Sequence, residues 1–241
     1  MKKIILSLLI TIGTLFLSGC LISSVVGTTI VVSNDRRTTG EVIDDTGIEF
    51  SLFSWSGEDK MLKDTHLNFM VYNKEVVITG EVPTVSIRNY ITKQAPFKDF
   101  KIRKVTNEVR VAKNTGLVGR AKDSAITLSA KALFHNQEVF NPLHVEIMTE
   151  NRTVYLMGAL TAREADKATK IVSTIGGVER VVKLFHYLKA RPAAEIESEK
   201  RKQLEAEKQA KLEAKRAIIK AKKEVLRRQI QALDSNSGTS F

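Results

Sequence analysis

Only one cysteine, Cys20, stands among the 241 residues. That excludes an internal disulfide and any zinc site built from several cysteines. Catalytic signatures are missing too: there is no G-x-S-x-G, no P-loop and no G-x-G-x-x-G after a strand. The four histidines, His66, His135, His144 and His186, lack the H-E-x-x-H spacing of a metal site. The residues therefore point to no enzyme, no cofactor and no metal. The apolar run over 4–17 falls short of the ~20 residues that span a bilayer. Acidic side chains are in deficit, 27 against 38 Lys and Arg, for a net charge of +11. Such a balance points to an acidic partner (anionic headgroup, acidic glycan or nucleic acid), or to a solvated face and a basic tail.

What is present begins at the N-terminus. Lys2 and Lys3 precede the short apolar run, and small residues follow it. This is the layout of a secretory signal peptide. Leu17-Ser18-Gly19-Cys20 resembles the bacterial lipobox. The resemblance implies diacylglyceryl transfer to the Cys20 thiol, cleavage before Cys20 and acylation of the new amino group. An ordinary secretory signal with an incidental cysteine is the alternative. Leu21, where Asp often marks inner-membrane retention, implies the outer membrane. Several acyl chains anchor firmly, at ~0.8 kcal/mol per buried methylene. Export argues against nucleic acid as a partner and favours anionic phospholipid or the cell wall. Residues 20–41 read as a lipidated tether.

Two repeats follow. Gly80 and Gly158 sit in the apolar runs Val76-Val77-Ile78-Thr79-Gly80-Glu81-Val82 and Val154-Tyr155-Leu156-Met157-Gly158-Ala159-Leu160. At the offset those glycines set, Asp45 matches Asp123, Ile48 matches Ile126 and His66 matches His144. Each repeat reads as helix, strand, strand, helix, strand. In the first, Asp44 or Asp45 is taken as the N-cap of a helix running to about Trp55. Strands follow over 67–71 and 75–82, a helix over 84–94 and a strand over 102–111. In the second, the helices are 122–134 and 162–175, and the strands 143–149, 153–160 and 178–188. Helices on one face of a small mixed sheet make an α+β sandwich. The link over 114–119 is short, so the two domains should touch.

The repeats resemble BON domains in this αββαβ order and in the glycine of the second strand. The second repeat also carries Ile175-Gly176-Gly177-Val178-Glu179-Arg180-Val181, similar to the family's second glycine signature, so Gly80, Gly158 and Gly177 are the signature glycines. In the first repeat Ala95-Pro96-Phe97-Lys98-Asp99-Phe100 has no glycine there. Lipobox, tether and two repeats together resemble DolP-type (YraP-type) dual-BON lipoproteins. The expected organisation is a signal peptide over 1–19, a tether over 20–41, BON domains over 42–113 and 114–190, and a charged helix with a frayed tail over 191–241.

The tail from 192 to 233 is rich in Ala, Glu, Lys, Gln and Leu, without Gly or Pro after Pro192. These are helix formers. Ile219, Leu226, Ile230 and Leu233 fall at roughly heptad spacing. The helix is a solvated single helix, a short coiled coil through which the chain oligomerises, or a basic helix lying on a membrane. In the first helices of the repeats, Ile48, Leu52 and Trp55, and Ile126, Ala130 and Leu133, form the core stripes. Phe50, Phe53, Leu128 and Phe134 fall off them, as interdomain contacts or as residues dipping into a bilayer. The family resemblance implies anionic phospholipid binding by the second BON domain, with Lys122, Leu128, Lys131 and Phe134 as candidate contacts. His66 and His144, at equivalent repeat positions, suggest a role in the fold.

The first reading is thus a non-catalytic outer-membrane lipoprotein, anchored at Cys20 and facing the periplasm of a Gram-negative bacterium. Its BON domains would bind anionic phospholipid and support envelope integrity. The alternative is an adaptor whose basic C-terminal helix engages outer-membrane assembly or cell-wall proteins. A secreted enzyme or cytolysin is the third.

Overall fold

The computed structural model describes residues 35–237, with side chains to residue 231. Cys20, the expected signal peptide over 1–19 and most of the expected tether over 20–41 lie outside the described residues. The chain divides into a unit Met1–Lys189 and a unit Ala190–Phe241. No helix among the described residues is long and apolar enough to cross a membrane.

The first repeat opens with helix α1, Thr39–Glu58. Its N-cap is Thr38, not Asp44 or Asp45. Thr38 Oγ1 accepts from the Glu41 N–H, and a Glu41 carboxylate oxygen accepts from the Thr38 N–H at 2.7 Å. This capping box satisfies two donors that the first turn would otherwise orphan. Ile48, Leu52 and Trp55, at i, i+4 and i+7, are buried as expected. Strands β1, His66–Tyr72, and β2, Glu75–Val82, pair antiparallel around a two-residue turn. Both turn residues, Asn73 and Lys74, have positive φ, as a type I′ turn demands. Thr84 caps helix α2, Val85–Gln94. The single strand expected over 102–111 is instead two short strands, β3, Lys104–Asn107, and β4, Arg110–Val111. Both pair parallel to β2, in one register. Between them the Asn107 side chain accepts from the Val109 N–H, and Val109 turns into the core.

The second repeat restates the plan. Helix α3 is Leu117–His135, five residues earlier at its start than periodicity suggested. Strand β5, Glu146–Glu150, begins after a 3-10 turn, Pro142–His144, that takes the place of the expected first strand residues. Strand β6, Thr153–Thr161, helix α4, Ala162–Ser173, and strand β7, Arg180–Leu188, form a parallel crossover.

Each sheet has two buried faces, which is why β2 and β6 read as continuous apolar runs rather than alternating ones. Val71, Val76 and Ile78 face the helices of the first repeat; Val154 and Leu156 face those of the second. The opposite faces meet each other: Met70, Tyr72 and Val77 pack against Tyr155 and Met157. The order of layers is helix, sheet, sheet, helix, and the expected contact between repeats is made through the sheets. Phe50 and Phe53 stay exposed, so they are not the interdomain contact. In the second unit, helix α5 spans Ala193–Ser237 and continues past Leu233, where the sequence suggested fraying. Its Ile219, Leu226 and Ile230 are exposed.

Candidate functional site

Helix α3 carries the residues singled out for lipid contact, and the structure separates them. Phe134 is buried and packs edge-on against Phe140 at 5.0 Å between ring centroids. It is core, not a bilayer anchor; the buried stripe is Ile126, Ala130 and Phe134, with Leu133 partly exposed. The helix advances ~100° per residue, so Lys122 and Lys131, nine positions apart, lie on opposite flanks. Between those flanks runs a ridge of Leu117, Ala121, Ala125, Leu128 and Ala132, all exposed, with Leu128 at 69%. Leu128 and Lys131 rim a cleft that reaches His66, Asn68 and Glu150. Lys122 lines a separate groove with Arg152 and Gly177.

Both repeats use the same devices to hold these helices. The Asp45 carboxylate accepts the Asn73 and Lys74 N–H groups, each at 2.7 Å. Asp123 accepts those of Asn151 and Arg152 at 3.0 and 2.9 Å. A buried aspartate mid-helix thus clamps the hairpin turn of its own sheet. Gly80 and Gly158, with φ of 118° and 155°, face the carbonyl oxygens of His66 and His144, where a Cβ would stand only 1.8 Å and 2.2 Å from the oxygen. The repeated glycine marks one close backbone approach, to the main-chain carbonyl of the histidine and not to its imidazole. Gly177 also holds positive φ, and its carbonyl accepts from Arg152 Nε.

The interface between the repeats has two ends, built from equivalent positions. At one end the Tyr72 hydroxyl accepts from the Ala159 N–H at 3.1 Å. Two guanidinium groups fill that end. Arg36 grips Glu164 through two hydrogen bonds of 2.9 and 2.8 Å and donates to the Ala159 carbonyl. Arg37 bonds Asp45 and Glu146 and stacks 4.4 Å from the Tyr72 ring. Burial alone would raise the Glu164 carboxyl, but Arg36 and the N–H and hydroxyl of Thr161 outweigh it and hold the group at about 2.

At the other end the repeat offset places Glu150 where the first repeat has Tyr72, and Glu81 where the second has Ala159. Oxygen or nitrogen atoms of His66, Glu81 and Glu150 lie within 4.8 Å of one another. Asn68 Nδ2 donates to a Glu150 oxygen at 2.6 Å and lies 3.2 Å from His66 Nε2. Glu81 accepts from the Thr115 hydroxyl and N–H and from the Asn151 amide. Burial and the neighbouring Glu81 and Asp123 charges push the Glu150 carboxyl up to about 7, against the Asn68 bond. Burial and Arg120 lower His66. No sequence spacing announces this cluster, because His66 and Glu150 belong to different repeats and are far apart along the chain. The signal available was the mismatch at repeat positions, Tyr72 against Glu150 and Glu81 against Ala159.

The family model of the BON domain matches residues 44–113 and 122–189. The chain is 32% identical over 179 residues to outer membrane lipoprotein DolP of Haemophilus influenzae, covering 73% of this chain and 92% of that protein. It is 29% identical over 157 residues to the 21 kDa hemolysin of Actinobacillus pleuropneumoniae, covering 64% and 80%. Among solved structures it is similar to CdsD, a structural protein of the type III secretion system of Chlamydia trachomatis, at 14% identity and a TM-score of 0.25, over 61% of this chain and 65% of that one.

Proposed function

The chain belongs to the BON-domain family as a DolP-type lipoprotein with two BON domains, and we propose that its second BON domain binds anionic phospholipid at the membrane where acylated Cys20 anchors it. In this reading it sits on the periplasmic face of the outer membrane, supports envelope integrity and catalyses nothing. One observation carries the reading: the exposed apolar ridge of α3 between Lys122 and Lys131. A helix of this kind lies along a bilayer with its ridge among the acyl chains and its lysines reaching out to the phosphates. Burying Leu128 is worth about 2 kcal/mol, and each basic side chain near an anionic surface about 1 kcal/mol. That sum makes a weak site. The acyl anchor compensates by raising the local headgroup concentration, so the weak site is enough.

The test is vesicle binding of the chain from residue 21, with and without phosphatidylglycerol. Wild type is expected to bind the anionic vesicles far more tightly than the neutral ones, and more weakly as salt rises. Leu128→Asp and the Lys122→Glu/Lys131→Glu pair should each release it, while circular dichroism stays unchanged. Equal binding to neutral vesicles, or wild-type binding by both variants, refutes the reading.

The exposed Ile219, Leu226 and Ile230 of α5 favour a second reading, an adaptor whose helix captures assembly or cell-wall proteins. Ending the chain at Lys189 separates the two. Phospholipid binding survives under the first reading, and partner capture is lost under the second.

A further inference from the structure

We propose that the His66–Glu81–Glu150 cluster, at one end of the interface between the BON domains, is a site for one divalent transition-metal ion of the zinc type. The donor set is one imidazole and two carboxylates, from strands of both repeats. An imidazole suits zinc and its neighbours, carboxylates complete a three-ligand site, and the fourth position opens to the cleft for water. Two carboxylates balance a doubly charged ion. Atoms bound to one zinc ion stand roughly 3.3 Å apart; here they lie within 4.8 Å of one another, so the ligands draw inward when the ion binds.

Three further observations point to a cation. First, the Glu150 side chain is only 5% exposed, and its Oε1 has no hydrogen-bond partner. A buried carboxylate oxygen left bare is costly. Second, the donor that reaches both His66 Nε2 and Glu150 is the Asn68 amide, a partial positive charge where a full one would stand. Third, the equivalent end of the interface is filled by Arg36 and Arg37, whose counterparts here (positions 114 and 115) are the uncharged Asn114 and Thr115. Glu81 and Glu150 have no Lys or Arg in ion-pair contact among the described residues. Arg120 lines the cleft nearby, but its Nε donates to the Thr115 carbonyl. The outer shell is already in place: Thr115 and Asn151 orient Glu81, and Asn68 orients Glu150, as the partners of metal ligands do. The ion would join the two domains at this end as the arginines do at the other.

The experiment uses the full chain without a tag, purified in detergent and stripped with a chelator. Zn2+ is titrated in competition with a chromophoric chelator, with Mg2+ in excess. One equivalent is expected, undisturbed by Mg2+, together with a higher melting temperature. His66→Ala and Glu150→Gln should each abolish stoichiometric binding, and Asn68→Ala should weaken it about 10–100-fold. His135→Ala, outside the cluster, should bind as wild type. Zinc-edge absorption on wild type decides the matter even where a variant does not fold: it should show one imidazole among oxygen ligands at about 2.0–2.2 Å. Absent stoichiometric binding, binding retained in both ligand variants, or a spectrum with two or more imidazoles overturns the site. Lipid binding by α3 does not depend on the result.

Discussion

Replacing Asp123 with alanine tests the clamp between helix and hairpin that both BON domains share. The carboxylate is buried and accepts the N–H groups of Asn151 and Arg152, two residues held at positive φ. A hydrogen bond to a charged acceptor contributes about 1.5–3 kcal/mol. Truncation removes both, and it also takes away the restraint that keeps two side-chain-bearing residues in the left-handed region. We expect a loss of about 3–5 kcal/mol by urea unfolding and a melting temperature roughly 10 °C lower for a unit of this size. Asp123→Asn keeps one acceptor oxygen and should fall between. The control is Asp44→Ala. Asp44 is solvated, with Lys74 and Lys101 as its partners, and the change should leave the melting curve on that of wild type. An Asp123→Ala loss below about 1 kcal/mol would mean water satisfies the turn and the clamp is not structural. A comparable loss for Asp44→Ala would return the helix start to Asp44.

Other consequences follow from the same geometry. Gly158→Ala places a Cβ 2.2 Å from the His144 carbonyl oxygen and should prevent accumulation of folded protein, whereas Gly177→Ala, whose Cβ meets only Ile126 at 3.4 Å, should cost about 1–3 kcal/mol of backbone strain and still fold. Glu164, at about 2 when folded against 4.5 when unfolded, favours the folded state above pH 4.5, and that contribution is lost as pH falls toward 2. At about 1.4 kcal/mol per pH unit it amounts to about 3 kcal/mol, so wild type should lose more stability than Glu164→Gln between pH 5 and pH 2; parallel curves for the two proteins would refute the Arg36 pairing.

Much of this fold was legible because the repeats keep one offset without gaps. The starts of helices α1 and α3 share that offset with the clamping aspartates and the close-approach glycines. What misled was chemistry that serves two purposes. An aspartate ahead of an apolar stripe is a good N-cap, and nothing local says that Asp45 reaches the distant Asn73-Lys74 turn instead. The Leu133-Phe134 pair gave a similar ambiguity: either residue continues the stripe from Ala130, at i+3 or i+4. Packing chose Phe134, because Phe140 offers it an edge. The carboxylate cluster's local part is the cross-strand pair His66–Glu81 of the first hairpin; its third member had no local signature, since only tertiary folding brings Glu150 of β5 to that pair.

The ridges of α1 and α3 occupy equivalent places in the two BON domains, yet only one suits an anionic surface. Leu128 corresponds to Phe50, so an exposed apolar residue is common to both. The flanks differ: Lys122 corresponds to Asp44 and Lys131 to Phe53. Apolar exposure alone therefore does not distinguish the domains, and charge does. Giving α3 the flanks of α1, as Lys122→Asp with Lys131→Phe, removes two positive charges and adds one negative. At about 1 kcal/mol for each unit of charge near the surface, affinity for phosphatidylglycerol vesicles should drop roughly 100-fold. Affinity for neutral vesicles should hold or rise with the added ring. The ratio of the two is the quantity to measure, because it cancels the apolar contribution. A variant that keeps the wild-type preference for anionic lipid would show that the selectivity does not reside in α3, and would turn attention to the basic helix α5.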